Sequence, residues 1–285
     1  MKAVFVFCEG NHDVTFVVRS LGQVARATWV GDPIGRLPSP LGPVADPTNP
    51  TRPKIESLIA KRYSSRTLDD LRLQEAAHAP PPSFEAIVKT SDTLYVVIRC
   101  HGDDAAQSAI DLIADVNSLL HPAFGTDVKQ VAVAFLFDAD ESLSQREETF
   151  ATQYAALLQG TAAPMHDKWV NGSHRVGLYV FHHENDQKGT LEELIAPLIE
   201  NEWQARWKGA DEYLNAHAEE TDPVKKKRSE WLKAQINVTG QFLFPGDPMS
   251  IVISRPNGSK PGLSNAHFVG KESKSLVDFL QRVLW

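Results

Sequence analysis

The stretch AVFVFCEGNHDVTF, residues 3–16, runs from six apolar residues through a polar turn into an amphipathic segment. A continuous apolar run of that length reads as a strand buried on both faces. The segment that follows, DVTFVVRSLGQVARA (13–27), carries apolar residues at helical spacing. The unit is strand, short loop, helix, and its loop holds Glu9 and, four positions on, Asp13.

Working outward, the same alternation returns three times. TLYVVIRC (93–100), QVAVAFLFDAD (130–140) and RVGLYVFHH (175–183) read as strands. DAAQSAIDLIADVNSLL (104–120), SLSQREETFATQYAALLQG (142–160) and GTLEELIAPLIENEWQARWKGADEYLNAH (189–217) read as helices. Apolar strands separated by helices predict an α/β fold, a mostly parallel sheet with helices on both faces. The chain between the first two strands interrupts this pattern. Residues 31–53 hold too many Pro and Gly for a regular element, and 54–77 reads as a helical pair. DPVKKKRSEWLKAQINV (222–238), with its Pro near the start, and SLVDFLQRVLW (275–285) complete the pattern as helices. The expected organisation is an α/β domain over 1–200 with an insertion at about 32–91, and a mainly helical C-terminal extension over 201–285 packed on it.

With 285 residues the chain can bury a substantial core. The opening apolar run stops at Glu9, too early for a signal-peptide core or a membrane span, so a cytoplasmic protein with no membrane association is expected. Cys8 and Cys100 lie in strand-like runs and read as packed thiols. A formal charge of -7 argues against coating nucleic acid by bulk attraction. It leaves open an enzyme whose own site must be acidic to hold metal.

Ligands of an open parallel sheet gather outside the carboxyl ends of its strands. Glu9 ends the first strand, and Asp138 and Asp140 end another. If strand geometry continues to Asp140, the two aspartates share a face and can reach one hard divalent cation, which takes oxygen ligands. The structural alternatives are helix caps. Asp140 suits the N-cap of the helix after it, and Asp13 suits the cap of the first helix.

CEGNHDVTFV (8–17) followed by FLFDADES (135–142) resembles the Toprim signature of topoisomerases, primases and overcoming-lysogenization-defect nucleases. GLYVFHHENDQKGTLEELI (177–195) is similar to a segment of Toprim-domain proteins related to those nucleases. The resemblance spans 1–31 and roughly 92–200. It implies a metal site of Glu9, Asp138 and Asp140, with Asp13 as a further ligand or orienting group and Glu192 serving a second ion. Mg2+ or Mn2+ is the implied cofactor. Glu193, three positions after Thr190, suits a capping box instead.

Phosphodiester hydrolysis by metal ions needs a neighbouring cation to offset charge on the phosphate. Lys233 in EWLKAQI and Lys260 in NGSKPGLSN are the candidates, each of which would otherwise be a surface lysine. Lys225, Lys226, Lys227 and Arg228 form a basic run suited to a nucleic-acid backbone or to a solvated face. His101, His182 and His183 lie near strand ends, where imidazole is a poor match for magnesium, and His12 is the histidine placed to touch substrate. The expected function is a metal-dependent nuclease acting on DNA or RNA. The chain has no G-x-x-x-x-G-K-[ST], so any ATPase partner is a separate subunit, and phage defence or repair is what the resemblance implies. A homodimer is a further arrangement consistent with this reading. The competing expectation is a non-catalytic Toprim-like module for binding or assembly, and a weaker one is a hydrolase of small phosphates.

Overall fold

The computed structural model describes residues 2–29, 83–100, 106–119, 128–172, 174–217, 228–243 and 262–283. Strand β1 (Lys2–Cys8) leads into α1 (Asn11–Val24). Then come β2 (Thr28–Trp29), β3 (Ser83–Lys89), β4 (Thr93–Arg99), α2 (Ala106–Leu119), β5 (Gln130–Asp138), α3 (Leu143–Gln153) and α4 (Ala155–Leu158). The chain continues through β6 (Lys168–Asn171), β7 (Arg175–Phe181), α5 (Leu191–Glu202), α6 (Gln204–His217) and α7 (Arg228–Leu243). A 3-10 turn (Asn265–Val269) and α8 (Lys271–Gln281) follow.

The strands form one sheet in the order β2-β3-β4-β1-β5-β7-β6. Its centre, β4-β1-β5-β7, is parallel, and β2, β3 and β6 add antiparallel edges. The predicted α/β architecture is therefore the one observed. The edges differ from expectation. β3 lies within the span read as an insertion, and β6 is only four residues long with partly exposed side chains. β3 buries alternate residues and β6 is too short, so neither gives a continuous apolar run.

Alternation along the central strands divides the core. Val4, Val6, Cys8, Ala132, Ala134 and Leu136 face α1, α5 and the C-terminal elements. Phe5, Phe7, Val133, Phe135 and Phe137 face α2, α3 and α4. On that second side Phe135 stacks on Phe7 at 5.1 Å and meets Tyr154 at 4.4 Å. Both cysteines are buried and free.

The C-terminal residues belong to the first core. Phe268 packs on Phe16 at 5.8 Å, and the buried Arg19 guanidinium lies over the Phe268 ring at 3.8 Å. Arg19 also donates to Leu263 O at 2.6 Å and to Asn265 Oδ1 at 2.8 Å. The long helical pattern at 189–217 breaks at Trp203 into α5 and α6. None of the helices among the described residues is long and apolar enough to cross a membrane.

Candidate functional site

Helices leave β1 and β7 on one face of the sheet and β4 and β5 on the other. The connections after β1 and β5, neighbouring strands, therefore diverge and open a crevice at their carboxyl ends. Glu9 and Asp138 stand on its two sides, with Glu9 Oε2 3.5 Å from the Asp138 backbone nitrogen.

Asp13 is not the cap of α1. Gly10 occupies that position, and Asp13, in the first turn, accepts from the Gly10 N–H at 2.6 Å through Oδ2. This bond fixes the carboxylate over the turn from Glu9. Asp138 has the parity of Leu136, so its side chain emerges on the α1 and α5 face. There its Oδ1 accepts from the Leu191 N–H at 2.8 Å, at the N-terminus of α5, where the helix dipole favours a carboxylate. Glu192, also in the first turn of α5, accepts at Oε1 from the Nδ1–H of His12 at 2.8 Å. Asp13, Asp138, Glu192 and His12 are 5%, 7%, 5% and 5% exposed.

Charge is concentrated here without matching solvent. Burial, and then the neighbouring Glu192 and Glu9, push the Asp13 carboxyl well above its ordinary range. Burial, then Asp13, Glu192 and Glu9, do the same to Asp138. Glu192 goes the other way. Burial would raise it, but the bond to His12 and the charge of Lys233 outweigh that and hold it below its usual value. Lys233, partly buried on α7, is held above its ordinary value: burial would lower it, and Glu192, Asp138, Glu230 and Glu9 prevail. The structure thus brings Glu9, Asp13, Asp138, Glu192 and Lys233 into one electrostatic neighbourhood.

Asp140 stays outside it. Strand β5 ends at Asp138, and Asp140 has a left-handed backbone (φ 50°). Its N–H and carbonyl pair with Gly189 at 3.0 and 2.8 Å. The carboxylate, 52% exposed, accepts from Arg146 of α3 at 2.6 Å. The same buried arginine donates through Nε to Asp138 O at 2.8 Å. The condition for a shared D-A-D face, continued strand geometry, fails at this turn. Nor is Asp140 a helix cap, since Ser142 takes that role and accepts from Gln145 N.

Glu193 accepts from the Thr190 N–H at 3.3 Å and pairs with Arg228 at 3.1 Å, the structural role expected of it. Lys260, His101 and Lys225 to Lys227 lie outside the described residues. His182 bonds Val180 O at 2.9 Å and packs edge-on against His166 at 4.6 Å. Sequence reasoning missed two contributors. Arg146 clamps the turn after β5, and the pairing of His12 with Glu192, 180 positions later, leaves no trace in local spacing.

Four carboxylates, three of them buried, are the donor chemistry of a hard divalent cation. Glu192 Oε2 and His12 Nε2 are buried without a hydrogen-bond partner, a condition that ordinarily costs about 1–3 kcal/mol per group and that a bound cation or water would relieve. Among the described residues, no three His, Cys, Asp or Glu side chains are arranged, as they stand, to hold a metal ion. The donor set suits the ion, and closure on it would need side-chain rotation.

Fold and site define an α/β protein with a buried carboxylate cluster at the carboxyl ends of a mostly parallel sheet. The chain belongs to the family described as protein of unknown function DUF3226, whose model matches residues 4–284. A similar solved structure is that of a hypothetical protein from Pyrococcus horikoshii OT3, 12% identical, covering 99% of this chain and 95% of that chain with a TM-score of 0.45. No curated protein matches the chain.

Proposed function

We propose that the chain is a Toprim-like, cytoplasmic, divalent-metal-dependent nuclease acting on DNA or RNA. The observation that carries this reading is the convergence of Asp13, Asp138 and Glu192 with Lys233 beside Glu9, from four separate elements. A fold spends stability to bury like charges together, and functional sites are where such pKa displacements cluster. Glu9, Asp13, Asp138 and Glu192 would hold Mg2+ or Mn2+. Such ions polarise a phosphodiester and activate an attacking water. Lys233 would offset charge gathering on the phosphate, and the N-terminus of α5 would favour the same anion. Any ATPase acting with it would be a separate subunit, in a defence or repair setting.

The engagement of Asp140 by Arg146 favours a second reading, a binding or assembly module of the same fold without catalysis. Purified protein incubated with plasmid DNA and with RNA under Mg2+ or Mn2+, beside Glu9→Gln, separates the two. The nuclease reading expects cleavage that falls at least about 100-fold in the variant, the scale of losing a group that acts in the transition state. Equal cleavage by both proteins would discard it.

A further inference from the structure

We propose that His12 is the positioning residue of Glu192, holding Oε1 so that Oε2 alone is presented to a divalent cation. The inference rests on the metal-site reading above and adds to it a residue and a role.

His12 sits in the first turn of α1, between Asn11 and Asp13, and Glu192 in the first turn of α5. Those helices lie on the same face of the sheet, and their N-termini meet over the crevice. The imidazole Nδ1 lies 2.8 Å from Glu192 Oε1. With one oxygen engaged, the carboxylate loses most of its freedom to turn, because rotation would break a buried bond worth about 1.5–3 kcal/mol when one partner is charged. The remaining oxygen, Oε2, is buried and has no hydrogen-bond partner. Glu192 acts on both Asp13 and Asp138 electrostatically, so its carboxylate belongs to the cluster rather than to a separate pocket. The nearby Lys233 balances part of the charge. A carboxylate ligand tethered at one oxygen and open at the other is the outer-shell arrangement by which proteins orient metal ligands.

The test is Mn2+ titration calorimetry on the full chain, with a thermal melt of every variant. His12→Leu removes the donor while retaining bulk, and His12→Asn supplies an amide nitrogen near the position of Nδ1. The expected result is a 10- to 100-fold weaker Mn2+ affinity for His12→Leu in a variant that still melts cooperatively, at a temperature lowered by the loss of the buried bond, with most of the affinity recovered in His12→Asn. Glu192→Gln should weaken binding by a similar factor, and adding His12→Leu to it should cost little more, since both act through one ligand. If the leucine variant does not fold, Glu192→Gln and His12→Asn still decide, because unchanged affinity in the glutamine variant overturns the proposal. Mn2+ binding indifferent to His12 removes this inference and leaves the metal-site reading standing. No Mn2+ binding by the unaltered chain overturns both.

Discussion

Asp138 is held between two opposing influences. The Leu191 N–H and the α5 dipole favour its charged form, while burial and three neighbouring carboxylates oppose it more strongly. A carboxyl whose folded pKa is raised stabilises the fold fully below its unfolded pKa and less as pH rises through the folded one. In the absence of metal, Asp13 and Asp138 therefore make stability decline from acid toward neutral pH. Glu192, held low, contributes in the reverse sense: its stabilisation is present above the ordinary glutamate range and fades as pH falls through its folded pKa. Asp138→Asn keeps an oxygen for Leu191 and removes the charge. It should raise metal-free stability at neutral pH by about 1 kcal/mol, the scale of relieving functional-site conflict, and the gain should shrink toward pH 4. Urea melts across that range check this, and a variant less stable at neutral pH would contradict it. Because Asp13 and Asp138 retain protons more readily than free acids, Mn2+ binding should release protons and tighten as pH rises. Calorimetry in two buffers of different ionisation enthalpy reads the proton count directly.

Elements place these residues through a few tight approaches. The loop after β7 clasps the loop after β5 through Asp140 and Gly189, and this sets the N-terminus of α5 against Asp138. Gly189 has φ 112°, and a Cβ there would lie 2.6 Å from Glu193 Oε2 and 2.8 Å from the His183 ring. Further down β7, a Cβ on Gly177 would come within 2.6 Å of the Trp169 ring and 2.8 Å of Phe279. Those two rings stack at 5.0 Å, and Trp169 Nε1 donates to Phe279 O at 2.9 Å. Gly177→Ala should destabilise by about 1–3 kcal/mol through overpacking, read as a lower urea midpoint at unchanged slope. Arg146→Leu should cost a similar amount by stranding the Asp138 carbonyl in the turn after β5. Its Mn2+ affinity, compared with that of the unaltered chain, would show whether Asp140 becomes a ligand once released.

At the scale of the whole molecule, the C-terminal residues complete the face of the sheet that carries the site. Leu263, Phe268, Leu276, Phe279 and Leu280 share a core with β1, α1 and α5. Arg19, itself buried, ties that segment down, and this burial lowers its guanidinium pKa to about 10. Arg19→Met should loosen residues 262–283 before the sheet, appearing as faster amide exchange in α8 than in β1. Lys233 acts on the cluster electrostatically from α7, so the charge balance of the site includes a side chain from the C-terminal helices. Mn2+ bound to the folded chain alone should also raise its melting temperature with concentration, by mass action. A melting temperature indifferent to Mn2+ up to millimolar concentration would count against the metal site.

The α/β class was legible in AVFVFC, TLYVVIRC, QVAVAFLFD and RVGLYVF, because strands buried on both faces are apolar throughout and leave a continuous signal. Glu9 and Asp138 were legible as acids at strand ends, positions that sheet topology brings together, whereas Asp13 and Glu192 entered the candidate site only through the Toprim resemblance. The edge strands were not, since burying one face or less leaves only a weak pattern. The diversion of Asp140 depended on a single left-handed residue and on Arg146, and the pairing of His12 with Glu192 depended on two helices meeting. Local spacing identifies what a segment can form and which chemistry it carries. Direction, partner and burial of each side chain are set by contacts between residues far apart in the chain, and only the tertiary structure decides those.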